Sequence, residues 1–235
     1  MNTSIPSQES FIMEIQFYSN TIILIYLCNG KILDCSKTTE GVQIPQDIFS
    51  IENFESKAKY ILIIEKNSSF QKAINEGLLK KNECSFILIT GKGYPDINTR
   101  LFVKKLSCKL KIQVLALVDA NPFGIEIMCV YKYGSNTMIQ QNEMLSVPSI
   151  KWLGVHPTDI QLLDLPSIPL NNLDQARLKA LLKRSYINSN YTILQQVLIL
   201  QQLNLKAEIE ALTTFTQKYL TEVYILRKIV TQDYI

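Results

Sequence analysis

The stretch IQVLALVDANPFGIEIM, residues 112–128, decides how the chain folds. Its run Val114-Leu115-Ala116-Leu117-Val118 is too short for a buried helix and carries β-branched residues, so it reads as a strand covered on both faces, as in a parallel sheet. Asp119 closes that strand, and Pro122 opens a helix over residues 123–132. The plainest role for an isolated acid here is a helix cap. In open α/β sheets, however, the ligand crevice lies beyond the carboxyl ends of the strands, where Asp119 stands.

Working upstream, the same alternation recurs. KYILIIEK (59–66) is a strand, SSFQKAINEGLLKK (68–81) a helix with Ser68 or Ser69 near its cap, and CSFILITGKG (84–93) a second strand. DINTRLFVKKLSCKL follows, with Phe102, Leu106 and Leu110 four apart on one helical face. Strand and helix in three successive pairs imply right-handed crossovers and an α/β fold with a parallel, Rossmann-like sheet.

The rest of the chain is patterned differently. Residues 20–35 hold two apolar runs joined by Asn29-Gly30, the dipeptide that favours a tight hairpin, and VQIPQDIFSI suggests a loop and a short helix entered at Pro45. Beyond Trp152 the pattern is helical. Thr158 offers a cap, NNLDQARLKALLKR is amphipathic, and residues 204–230 keep apolar i, i+3, i+4 spacing for about 27 residues. These shifts divide the chain into an N-terminal hairpin and connecting segment (1–56), an α/β domain (57–170) and a helical C-terminal extension (171–235).

Composition narrows the function classes. Of 235 residues, 47% are hydrophobic and 19% charged, the balance of a globular chain with ample core material. A net charge of +3 is too mild to name a polyanionic partner by itself. Cys28, Cys35, Cys84, Cys108 and Cys129 form no C-x-x-C pair and read as reduced thiols of a reducing compartment. The first residues lack a secretory pattern, and apolar runs such as TIILIYLC fall short of a membrane span, so a soluble intracellular protein with no membrane partner is expected.

Three strand ends then converge. Glu65 ends the first, a glycine-flanked Lys92 the second and Asp119 the third, and parallel strands deliver all three to one edge. Two carboxylates there suit Mg²⁺, a hard ion satisfied by one or two carboxylates, waters and phosphate oxygens. Lys92 does not belong to a phosphate-binding loop of the G-x-x-x-x-G-K-[ST] kind, because the upstream glycine and the following Ser or Thr are missing. That disfavours a small-molecule phosphotransfer enzyme.

The blocks IIEKN, ITGKGYPDINTR, VDANPFGIEIMCVYKYGS and VPSIKWLGVHPTDI, in that order, resemble the Toprim domain of the A subunit of topoisomerase VI and its meiotic relatives that make the double-strand breaks initiating recombination. The resemblance runs from about Lys57 to the C-terminus and leans to the eukaryotic meiotic branch. It implies a Toprim fold, Mg²⁺ as cofactor, double-stranded DNA as ligand, a homodimer, a topoisomerase VI B-like or other recombination partner, and a nuclear, chromosomal location. Glu65 and Asp119 match the family's metal ligands, with Asn121 at the position of a further one. Lys92, Arg100 and Lys132 match basic positions expected to contact DNA, and Asp96, Gly91, Gly93 and Gly124 match supporting positions.

Two departures qualify the resemblance. Asn121 stands where the family usually has a second aspartate; its amide oxygen still coordinates, but the lost charge weakens a second ion more than the first. The family also cleaves DNA with a tyrosine of an N-terminal winged-helix domain, and nothing here corresponds. Tyr18, Tyr26 and Tyr60 have no tyrosine neighbour, and no arginine precedes Arg100. A phenol needs a cation or base to attack phosphate at neutral pH, so this chain alone is expected not to cleave. A truncated product, a fragment and a naturally shortened relative all fit that reading. The leading function is Mg²⁺-dependent DNA binding, and the alternative is a non-catalytic dimerisation and protein-interaction module. His156, the one histidine, reads as a turn or packing residue, and Trp152 as core or interface.

Overall fold

A computed structural model describes residues 16–19, 23–35, 42–80, 85–135 and 142–235. The chain order is β1 (Gln16–Ser19), β2 (Ile23–Leu27), β3 (Ile32–Asp34), β4 (Val42–Gln43), β5 (Ile51–Ser56), β6 (Tyr60–Ile64), α1 (Asn67–Asn75), β7 (Phe86–Thr90), α2 (Ile97–Leu110), β8 (Gln113–Leu117), α3 (Pro122–Tyr133), α4 (Asn142–Leu145), β9 (Lys151–Gly154) and α5 (Pro157–Leu162). Then come β10 (Ile168–Pro169), α6 (Asn172–Leu182), α7 (Ser185–Asn188), α8 (Tyr191–Leu203), β11 (Leu205–Lys206) and α9 (Ile225–Val230).

The apolar runs of β6, β7 and β8 have no polar face because both faces are covered. With β9 they form four parallel strands in the order β7-β6-β8-β9. Successive residues alternate between two cores. Ile61, Ile63, Val114 and Ala116 pack toward α2, α3, α6 and α8, whereas Leu62, Ile64, Leu115 and Leu117 pack toward α1 and the C-terminal segment. Each such fully buried aliphatic side chain contributes roughly 1.5–3 kcal/mol relative to exposure. Antiparallel β1 and β4 extend the sheet beyond β7, while β2, β3 and β5 form a separate antiparallel sheet. Asn29-Gly30 makes the expected turn between β2 and β3, with Gly30 at φ 77°.

Several local expectations fail. No helix follows Pro45; the chain turns at residues 48–50 and enters β5. Ser68 and Ser69 do not cap α1, since their hydroxyls donate to Glu210 instead. The residue at the start of α5 is His156, not Thr158, and the His156 amide donates to the Asp159 carboxylate at 2.8 Å. The single long helix read over residues 204–230 is broken into β11, a 3-10 segment Ile209–Thr214, a π-helical segment Tyr219–Tyr224 and α9. Asn204, left-handed at φ 51°, ends α8 and turns the chain back to pair β11 with β10. The apolar spacing survives those breaks because Leu212, Leu220, Ile225 and Ile229 all reach one core.

Trp152 is fully buried and His156 packs edge-on against its ring, the structural roles anticipated for both. Around them a buried polar cluster ties the C-terminal helix to the sheet. Lys228 Nζ donates to Asp159 Oδ1 at 3.0 Å and lies 3.1 Å from His156 Nδ1, and the Tyr224 hydroxyl donates to Asp159. Cys35 and Cys129 are buried thiols and Cys28 and Cys108 exposed ones, none of the four in a disulfide; Cys84 lies outside the described residues. No helix among the described residues is long and apolar enough to cross a membrane.

Candidate metal and nucleic-acid edge

Parallel pairing of β6 with β8, in register from Tyr60 opposite Gln113 to Ile64 opposite Leu117, delivers Glu65 and Asp119 side by side beyond the strand ends. Glu65 Oε2 accepts the Asp119 backbone N–H at 2.8 Å. Both acids are buried, at 7% and 2% exposure. Burial, followed by the charge of Asp119, pushes the Glu65 carboxyl up to about 7. Burial also raises Asp119, although the Ile209 amide and Lys66 oppose the shift.

The helix cap sits two residues further on. Asn121 Oδ1 accepts the Gly124 amide at 2.8 Å and Asn121 Nδ2 donates to Asp119 Oδ2 at 3.3 Å, so Asn121 rather than Asp119 caps α3. Gly124 is required by space. A Cβ there would stand 2.4 Å from the Asp119 carbonyl oxygen and 3.0 Å from Glu65 Oε2. Only a glycine lets α3 begin this close to the two acids.

Across β6, the loop after β7 is tied to the same edge. The Gly93 amide donates to the Glu65 carbonyl at 2.9 Å, and the Lys92 amide to Thr90 Oγ1 at 3.2 Å. Lys92 is exposed with φ 51°, and Gly93 needs its φ of 106° for the turn. A side chain at Gly91 would meet the Tyr131 hydroxyl at 2.9 Å. Asp96 caps α2, accepting the Thr99 amide and hydroxyl.

The other two basic positions are not surface charges. Lys132 is 9% exposed, and its ammonium donates to the carbonyls of Pro148 at 2.9 Å and Ile150 at 2.6 Å. The expectation of an open phosphate contact at Lys132 fails because α3 turns that residue inward to tether the strand entering β9. Arg100, on α2, is also buried and lines a cavity with Tyr94 and Pro95.

Lys66, Glu208 and Glu210 had no assigned role in the sequence, yet Lys66 pairs with Asp119 and with both glutamates. Lys66 Nζ lies 3.1 Å from Asp119 Oδ2, 2.9 Å from Glu208 Oε2 and 3.2 Å from Glu210 Oε2. Burial works against the Lys66 ammonium, but these carboxylates more than offset it and raise its pKa. The acids arrive on a segment bridged to the sheet edge by reciprocal bonds between Ala120 and Ala207, and the Ile209 amide donates to Asp119 Oδ1 at 2.8 Å. Lys66, directly after a strand-ending acid, was the readable signal. Glu208 and Glu210, more than 140 residues away, had none.

The donor set fits a hard divalent ion. Two adjacent carboxylates, one of them held partly protonated by the cost of burying like charges, are relieved when a cation joins them. Among the described residues there is no group of three or more His, Cys, Asp or Glu side chains placed to hold a metal. Two carboxylates with waters completing the shell match the needs of an ion such as Mg²⁺.

A four-stranded parallel sheet with helices on both faces, two acids at its carboxyl edge and a glycine-rich loop beside them define a Toprim domain. The chain belongs to the topoisomerase 6 A-subunit/Spo11 family, whose Toprim-domain model matches residues 60–229. It is 41% identical over 205 residues to the human protein named meiotic recombination protein SPO11, covering 86% of this chain and 51% of that one. Over 216 residues it is 35% identical to the A subunit of DNA topoisomerase 6 from Arabidopsis thaliana, covering 90% and 50%. Meiotic recombination protein W68 of Drosophila melanogaster is 37% identical over 205 residues, covering 87% and 60%. The chain thus spans about half the length of the curated relatives it matches.

Proposed function

We propose that this chain is the Mg²⁺-holding, DNA-binding part of a topoisomerase VI A-like machinery that forms meiotic double-strand breaks in the nucleus. The observation that carries this reading is the side-by-side burial of Glu65 and Asp119 beyond neighbouring parallel strands. When bound, Mg²⁺ would offset phosphate charge and polarise the phosphoryl oxygen. The chain's own residues orient the site. One oxygen of Glu65 is held by the Asp119 amide and one oxygen of Asp119 by the Ile209 amide, so both carboxylates are positioned before a ligand arrives. Lys92, exposed on the loop whose Gly93 amide donates to the Glu65 carbonyl, supplies a cation on the same edge.

The nucleophilic tyrosine is proposed to come from a winged-helix domain. Tyr26 lies in β2 and Tyr60 at the start of β6, each held by strand pairing, and Tyr18 belongs to β1. A homodimer and a topoisomerase VI B-like partner complete the proposed assembly.

A second reading, a non-catalytic dimerisation and interaction module, is favoured by one observation. Asp119 is already satisfied by Lys66, Asn121 and Ile209, as a retired metal site would be. Duplex affinity measured by fluorescence anisotropy separates the two. The DNA reading expects binding that tightens at least tenfold from EDTA to millimolar Mg²⁺ at fixed ionic strength; binding indifferent to the ion would favour the interaction module.

A further inference from the structure

Asp119 Oδ2 receives two donors, and they are held very differently. The Asn121 amide, at 3.3 Å, belongs to a side chain whose Oδ1 is pinned by the Gly124 amide at the start of α3. The Lys66 ammonium, at 3.1 Å, sits on a flexible four-carbon stem whose side chain is 28% exposed. It has two further partners on the C-terminal segment, Glu208 Oε2 at 2.9 Å and Glu210 Oε2 at 3.2 Å. The other oxygen of Asp119 accepts the Ile209 amide, on the segment bridged to the sheet edge through Ala120 and Ala207.

A cation joining Asp119 at Oδ2 therefore meets Lys66. A divalent ion and an ammonium are drawn to the same carboxylate and repel each other at contact distance, so the two compete for it. The ammonium has a second seat. Glu210 is anchored by the hydroxyls of Ser68 at 2.8 Å and Ser69 at 3.2 Å, and Glu208 already lies within ion-pair distance of Lys66. Lys66 can give up Asp119 without becoming an unpaired charge.

We infer that Lys66 is an internal counter-cation that competes with the divalent ion for Asp119, and that Glu208 and Glu210 hold it once it is displaced. The inference rests on the metal reading above. The two glutamates act through Lys66 rather than as ligands, so the docked C-terminal segment sets the affinity of a site built on the sheet.

The test is calorimetric titration of Mg²⁺ into the full chain at pH 8, with melting curves in EDTA and in millimolar Mg²⁺. Lys66→Gln should bind Mg²⁺ at least tenfold more tightly than wild type, and adding Glu65→Ala should reverse the gain. In EDTA, Lys66→Gln should melt below wild type, because it leaves Asp119, Glu208 and Glu210 without their shared cation. Saturating Mg²⁺ should narrow that gap by about 4 °C, the shift expected of tenfold tighter binding. Glu208→Gln, at a side chain more than half exposed, should weaken Mg²⁺ at least threefold in wild type and leave it unchanged in Lys66→Gln. Should Lys66→Gln not fold, Lys66→Met removes the same charge and carries the same expectations. Equal or weaker Mg²⁺ binding by the Lys66 variants overturns the competition while leaving the metal reading standing. A Glu208→Gln loss that persists in Lys66→Gln overturns the receiving seat and makes Glu208 a direct partner of the ion. Binding by Lys66→Gln alone supports the competition and favours the interaction module for the native chain. Binding by neither protein removes the metal reading and this inference with it.

Discussion

Asp119 holds Glu65 through its backbone rather than its side chain, the amide donating to Glu65 Oε2 at 2.8 Å. The two carboxylates are thereby fixed at the strand ends before any ligand arrives, and burial with mutual repulsion keeps Glu65 near the middle of its titration at neutral pH. The geometry depends on how closely α3 begins beneath them.

Gly124→Ala tests that closeness. The added methyl would overlap the Asp119 carbonyl, which cannot swing away. The variant should lose about 1–3 kcal/mol in urea unfolding, the usual cost of overpacking, and should bind Mg²⁺ more weakly as the acids shift. Wild-type stability would mean that α3 moves freely relative to Asp119.

Asn121→Asp should keep the cap on Gly124, since aspartate caps as well as asparagine. It loses the amide donor to Asp119 and adds a like charge, so the metal-free protein should be less stable and a second divalent ion should bind more tightly. Calorimetry with Mn²⁺ reads the second event; unchanged stoichiometry and affinity would place Asn121 outside the ion's reach.

Lys92 and Lys132 should part company. Lys92→Ala should lower the salt dependence of duplex binding by about one counterion. Lys132→Met should leave that slope unchanged and cost about 2–4 kcal/mol of stability, because two buried carbonyls lose a charged donor. Anisotropy across a salt series, with urea unfolding beside it, decides; a reduced slope for Lys132→Met contradicts its tethering role.

The only histidine supplies a pH prediction. Burial, followed by the Lys228 charge, depresses His156 below its ordinary value, against the opposing pull of Asp159 and Asp233. The unfolded chain therefore takes up the proton first as pH falls below about 6.5, and stability is lost in that direction at up to about 1.4 kcal/mol per pH unit. Glu65, raised to about 7, contributes the opposite slope. The difference between wild type and His156→Gln isolates the imidazole. The variant's Tm should fall less from pH 7 to pH 5; parallel curves would show that His156 titrates alike in both states.

How much of this was readable in the sequence follows from the range of the forces involved. β6, β7 and β8 were legible because strands buried on both faces must be apolar throughout, and their order carried Glu65, Lys92 and Asp119 to one edge. The C-terminal breaks were not, because residues facing one core keep helical spacing whether the backbone is α, 3-10 or π. Lys132 was misread since a cation at a helix end is ordinarily solvated, and its carbonyl partners lie 16 and 18 residues away. The ring of Glu208 and Glu210 around Lys66 depends on where the returning chain docks, which no local pattern encodes.

The central claim is that Glu65 and Asp119 together hold one divalent ion. Calorimetric titration of Mg²⁺ into wild type and Glu65→Ala at pH 8, above the value of about 7 to which burial raises Glu65, reads it directly. The account predicts one site in wild type and at least a tenfold loss of affinity in Glu65→Ala with the fold intact by circular dichroism. Equal Mg²⁺ binding by the two proteins would contradict it.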